Sequence, residues 1–308
     1  MTRSWLMLAS GKAAWVALLC LGAGMAANCN SAAERPPSAE RGTLADTMAV
    51  LVGAGDIADC DSRGDEETAA LLDAIPGTVF TAGDNAYGDG TPEQFARCYD
   101  PSWGRHKART RPSPGNHDYE TEGAGAYYAY FGARAGPAGR GYYSYDLGGW
   151  HIVSLNSNVA MDAGSPQEQW LRADLAATTK RCSLAYWHHA RFSSSSSHGS
   201  QKQTQPLWKA LYDHAAEIVI SGHDHTYERF ALQTPDGVAD PDRGIRQFVV
   251  GTGGASQYDF GPPLPNSEVR DNTSHGVLKL TLARGSYSWA FVPAAGGAFT
   301  DSGRGTCH

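Results

Sequence analysis

The sequence predicts an α/β fold with two packed β-sheets flanked by helices. Two observations carry this reading. Short apolar runs alternate with helix-like segments up to about residue 220, the pattern of α/β units with much parallel sheet. Beyond that point the chain turns to strands paired through Gly-containing turns. The chain has 308 residues, of which 41% are hydrophobic and 19% charged, so a sizeable core can be buried. Net charge is −7 with no basic run, which argues against nucleic acid as the main partner.

The N-terminus reads as an export signal over residues 1–27. Arg3 and Lys12 precede an apolar stretch, residues 13–21, and small residues follow through Ala27. The run is short for a bilayer span, which needs about 20 apolar residues, so cleavage near Ala26 or Ala27 is preferred to an uncleaved anchor. After cleavage no stable membrane span is expected, and the protein would be secreted or periplasmic. Lipoprotein anchoring at Cys29 or Cys20 fits poorly, because Asn28 and Leu19 stand where a small residue is wanted. Residues 28–46, rich in Ala, Ser, Pro and charge, read as a disordered linker. Residues 47–308 form the expected domain.

Within it, strand-like runs fall at 48–53, 78–81, 150–155, 183–187 and 217–220. Helix-like segments lie between them at 65–74, 92–98, 166–178 and 205–214. Ser165-Pro166 supplies a capping hydroxyl and an N1 proline ahead of Gln167 and Glu168. Segments 246–250, 276–283 and 286–292 read as strands, the last two joined at Arg284-Gly285. Segments 142–146 and 150–155 suggest a hairpin around Gly148-Gly149. Residues 193–197 are all serine and read as a mobile loop, and 261–275 as a Pro- and Asn-rich surface loop.

Six cysteines occur, five of them beyond the export signal. Pairing Cys60 with Cys98 and Cys182 with Cys307 would leave Cys29 over. Spacing alone leaves other connectivities open.

The chemistry concentrates at the ends of the apolar runs. Asp56 follows MAVLVGAG, Asp84 follows TVFTAG, His188 follows SLAYW and His223 follows EIVISG. Asn116 follows the shorter TRPSPG. Ligands bind α/β folds at the carboxyl edge of the sheet, where these residues would sit. The set is oxygen and imidazole without thiolate, which suits iron, zinc or manganese in a hydrolytic role and not a structural zinc site. His223 and His225 share one face of an extended segment, so each could reach a different metal. Tyr87 lies three residues after Asp84, and its phenolate is a hard anion that favours Fe(III). Asp56 has no histidine two residues after it, and Ala58 leaves room for Tyr87 to fill that position.

Together GDIAD, GDNAY, GNHD, WHHARF and GHDHTYER resemble the calcineurin-like metallophosphoesterase superfamily, specifically its purple acid phosphatase branch in the short single-domain form. Ala190 and Ala58 depart from the family pattern. The resemblance implies a four-layer αββα sandwich of two mixed β-sheets flanked by helices. It implies two metal ions, Fe(III) with a divalent Fe, Zn or Mn, and attack of a metal-bound hydroxide on a small-molecule phosphate monoester. Asp56, Tyr87 and His225 would bind the first metal, Asn116, His188 and His223 the second, with Asp84 between them. His117 would protonate the leaving group, oriented by Asp118, and His198 would be a second substrate-side histidine. His189 reads as supporting or core. His106, His151, His214 and His275 read as single histidines without a partner motif, and Glu228 and Arg229 as structural. A phosphodiesterase or nucleotidase uses the same motifs, and a non-catalytic metal- or phosphate-binding surface protein is the alternative of another class.

Overall fold

The computed structural model of the chain describes residues 48–308. The expected export signal, the linker at 28–46, Cys20 and Cys29 lie outside the described residues. In chain order the elements are β1 (Ala49–Ala54), α1 (Gly64–Ala74), β2 (Thr78–Ala82), α2 (Pro92–Gln94, continued as a π-helical turn over Phe95–Tyr99), β3 (Thr110–Ser113), α3 (Gly125–Phe131), β4 (Tyr143–Leu147), β5 (Trp150–Ser154), α4 (Pro166–Ala177) and β6 (Cys182–His189). They continue with α5 (Gln205–Asp213), β7 (Ile218–Gly222), β8 (Tyr227–Phe230), β9 (Arg246–Val250), β10 (Ser267–Asp271), β11 (Gly276–Ala283), β12 (Ser286–Pro293) and β13 (Ser302–Thr306).

Two mixed sheets result. One runs β13-β12-β11-β1-β2-β3, with β1, β2 and β3 parallel and the last three strands of the chain antiparallel. The other runs β10-β8-β9-β7-β6-β5-β4, parallel from β9 to β5 and antiparallel at both ends. Alternate residues of the central strands feed two cores. On β6, Leu184 and Tyr186 join the cluster between the sheets, whereas Ala185 and Trp187 pack with Leu171 of α4 and Leu207, Trp208 and Leu211 of α5. On β7, Ile218 and Ile220 face the first cluster and Val219 the second. Strands buried on both faces must be apolar throughout, which is why these segments read as continuous runs. Ala69 and Leu72 of α1 are buried with residues of the first sheet. The architecture is the expected sandwich of two mixed sheets with flanking helices.

Both proposed cysteine pairings are formed, Cys60–Cys98 and Cys182–Cys307. Two loop expectations are corrected. Residues 267–271, placed in a surface loop, form β10, an edge strand on β8. The serine run is not a free loop: Ser194 donates through both N and Oγ to buried Glu228, and Ser196 N donates to the Asp259 carbonyl at 2.9 Å. A run of identical polar residues hides partners that arrive from distant segments. The sequence also gave no sign of β8 or β13. β13 reads SGRGT because the rings of Tyr287 and Trp289 lie where Gly303 and Gly305 would carry side chains.

Candidate metal centre

Asp56, Asp84 and Asn116 stand beyond the carboxyl ends of β1, β2 and β3, His188 near the end of β6, and His223 just after β7. Five parallel strands from two sheets therefore deliver their terminal residues to one place. The turns are tight. Asp56, Asp84 and His223 adopt left-handed backbone conformations, with φ of 60°, 48° and 71°. Such residues cost roughly 1–3 kcal/mol each and persist where surroundings over-determine them, typically at functional sites. Glycine is required beside them, because a Cβ on Gly115 would strike the Asp84 carboxylate and one on Gly222 that of Asp56.

Two groups of donors form around a shared carboxylate. In the first, the Tyr87 hydroxyl lies 2.9 Å from Asp56 Oδ1, 3.0 Å from His225 Nε2 and 3.1 Å from Asp84 Oδ2. In the second, His188 Nε2 lies 3.1 Å from the same Asp84 oxygen, 3.0 Å from Asn116 Oδ1 and 3.2 Å from His223 Nδ1. Ligand atoms of Asp84, His188 and His223 all fall within 4.8 Å of one another. All seven residues the sequence singled out as ligands are thus brought together. The ring tautomers are set from behind. His188 Nδ1 pairs with the Ala82 carbonyl at 2.9 Å and His225 Nδ1 with that of Ser256 at 2.6 Å, so each turns Nε2 toward the cluster.

A family model for calcineurin-like phosphoesterases matches residues 48–227, over half of the chain. The chain belongs to that family. It is 33% identical over 159 residues to purple acid phosphatase 22 of Arabidopsis thaliana, a stretch covering 48% of this chain and 36% of the relative. It spans less than half the length of the curated plant relatives it matches. Among solved structures, purple acid phosphatase PPD1 of yellow lupin superposes with a TM-score of 0.68 at 20% identity, over 84% of this chain and 54% of that one. GAP50, described as the anchor in the inner membrane complex of Plasmodium, gives 0.65 at 15% identity, over 85% of this chain and 89% of the other. At these identities the two superpositions show the fold alone.

The donor set fits cations on physical grounds. Asp56, Asp84 and His188 are fully or almost fully buried, and no lysine or arginine among the described residues pairs with either carboxylate. With protein groups alone, protons must balance the charge. Burial would lower His188, but Asp84 and Asp56 raise it to about 9. Burial and the same two carboxylates hold the Tyr87 phenol well above its ordinary range. Burial and neighbouring His188 push His223 well below the imidazole range. Buried oxygens and ring nitrogens facing one another in this way suit metal ligation, in which ligands give up their protons.

His117 stands at the rim. Its Nδ1 pairs with the Gly88 carbonyl, its Nε2 lies 4.0 Å from Asp84 Oδ2, and its ring sits 4.5 Å from that of Tyr87. Asp118 does not orient it, contrary to expectation. The buried Asp118 carboxylate accepts from Asn85 Nδ2 and from Gly115 N, each at 2.9 Å, tying the Asp84 and Asn116 loops together. Burial and the Asp84 charge push it up to about 7. His198 is brought to the site, its ring stacked 4.1 Å from His223. His189 packs 4.3 Å from His223, with Nδ1 2.7 Å from Ser157 Oγ, and burial together with His188 pushes it down to about 3. Glu228 holds the serine loop, and Arg229 pairs with Asp301.

The loop after β9 was missed. Tyr258 stacks on His225 at 4.0 Å and 11°, and Ser256 supplies the carbonyl behind that ring. The available sign was Gly251-Thr252-Gly253-Gly254 directly after a strand, the same strand-then-glycine pattern that marks the other site loops.

Proposed function

We propose that the chain hydrolyses phosphate monoesters at two metal ions, one on Asp56, Tyr87 and His225, the other on Asn116, His188 and His223, with Asp84 common to both. One observation carries the proposal: Asp84 Oδ2 lies 3.1 Å from a donor atom of each group. The similarity to plant purple acid phosphatases supports the phosphatase activity. Bound there, the cations would activate water as a nucleophile and neutralise phosphoryl oxygens.

The chain's own residues would do the rest. His117, held through Nδ1, keeps Nε2 free on the cluster side to give a proton to the departing alkoxide oxygen, a role worth about 10²–10⁴-fold. His198 would contact the phosphoryl group beside His223. Gly115 and Gly222 let backbone and carboxylates close up without side chains between them. Tyr87 as a phenolate ligand favours Fe(III) at the first position, with divalent Fe, Zn or Mn at the second. Export fits two intramolecular disulfides, which form and persist in oxidising compartments. No helix among the described residues is long and apolar enough to cross a membrane.

The test is a comparison of nitrophenyl phosphate with its bis-ester on the purified protein. Faster turnover of the monoester is expected. Preference for the bis-ester would replace the proposal with a phosphodiesterase, and no turnover of either would remove it.

A further inference from the structure

The segment that carries His198 is fastened at several points. Ser194 is held by Glu228, and Ser196 by the Asp259 carbonyl. Gln201 Nε2, from the same loop, donates to the His198 carbonyl at 3.4 Å, and the side chain that reaches the His198 backbone from another loop is that of Asp224. Asp224 Oδ1 accepts from the backbone N–H of His198 at 3.2 Å and of Gly199 at 3.4 Å. Asp224 lies between His223 and His225 and is fully buried. Its other oxygen, Oδ2, has no hydrogen-bond partner among the described residues. Burying a carboxylate with one oxygen unpaired is costly, and an apolar side chain at this position would avoid that cost. Among the described residues, the two bonds to the His198 loop are the only ones the side chain makes. The bonded loop in turn lays the His198 ring over His223, 4.1 Å away and 23° from parallel.

We propose that Asp224 is a positioning residue: it locks the His198 loop to the ligand-bearing loop after β7 and so fixes the His198 imidazole at the phosphate side of the centre. The proposal rests on the reading of His198 as a substrate-side group. It gives the residue between the two ligand histidines a task separate from metal binding. An Asn at this position keeps an acceptor oxygen for the same two N–H groups, whereas an Ala does not.

The experiment compares wild type, Asp224→Ala, Asp224→Asn, His198→Ala and the Asp224→Ala/His198→Ala double variant. Each is assayed for kcat and KM on nitrophenyl phosphate and for metal content. Asp224→Ala is expected to lower kcat/KM by about 10–100-fold, the usual effect of removing a supporting residue, at unchanged metal content. Asp224→Asn should stay close to wild type, and Asp224→Ala should add nothing once His198 is gone. An active Asp224→Ala beside an impaired His198→Ala overturns the positioning role alone. His198→Ala at the wild-type rate overturns the role of His198, and the positioning role with it. Loss of metal in Asp224→Ala, or its full effect persisting without His198, assigns Asp224 to the ligands or to the fold and also overturns the proposal.

Discussion

Two of the histidine–aspartate clusters among the described residues are built on different principles. Around His151 every group is answered. Nδ1 lies 3.1 Å from Asp146 and Nε2 2.7 Å from Asp174. Ser144 Oγ donates to Asp174 at 2.7 Å, and Lys180 lies 3.5 Å from Asp146. This clamp joins β4, β5 and α4 and needs nothing from outside. At the candidate metal centre the ring nitrogens of His188 and His223 face each other at 3.2 Å, and a phenol stands between two carboxylates. There the buried carboxylates are answered by a phenol and imidazoles and by no lysine or arginine among the described residues, an arrangement that suits cations. The residue types are shared, and the difference lies in the burial of the carboxylates and in whether a lysine helps to answer them.

The strongest way to break the contrast is to remove the shared carboxylate. Asp84→Asn is expected to abolish phosphate ester hydrolysis and lower metal content together, checked by assay and elemental analysis of the same sample. Near wild-type activity with full metal would contradict the bridging role. Next comes His117→Ala, for which a kcat loss of about 10²–10⁴-fold is expected at unchanged metal content. The loss should be larger for alkyl phosphates than for nitrophenyl phosphate, whose leaving group needs less help from a proton. Equal losses on both would remove the acid role.

At the other cluster the effects fall on stability. His151→Gln should leave activity unchanged and destabilise by about 1–2 kcal/mol, the scale of lost charge-assisted hydrogen bonds with one partly exposed partner. Burial opposes the His151 charge, but Asp174 and Asp146 together raise its pKa above 6.5. A raised pKa means the charged form is favoured by folding. The contribution is therefore complete below pH 6.5 and lost as pH rises through the higher folded value. Thermal unfolding should show the gap between wild type and His151→Gln closing in that direction, and a gap independent of pH would refute the ion pairing. The smallest effect is expected for Ser144→Ala, about 0.5–1.5 kcal/mol from one hydrogen bond, read from denaturant midpoints. A loss as large as that of His151→Gln would mean that Asp174 depends on the serine more than on the imidazole.

The same contrast explains what could be read from the sequence. Four of the candidate ligand positions, Asp56, Asp84, His188 and His223, were legible because each follows an apolar run, and sheet topology carries strand ends to one edge. The clamp was not: His151 looks partnerless because Asp174 arrives from α4, 23 residues on. Asp118 was misjudged for a related reason. Its neighbour His117 suggested a local pair, but a short helical turn buries Asp118 against Asn85 and Gly115 instead. Asp224, Ser256 and Tyr258 act through contacts with loops far away in sequence, and such contacts leave no periodicity behind. β10 and β13 are edge strands, half exposed and poor in apolar residues, so hydrophobic pattern could not reveal them.

The metal-to-protein ratio of the purified wild-type chain tests the account most directly. Two donor groups meeting at Asp84 predict two metal ions per chain, one of them iron with a violet tyrosinate absorption. A ratio of one or less after reconstitution with iron, zinc and manganese would contradict it.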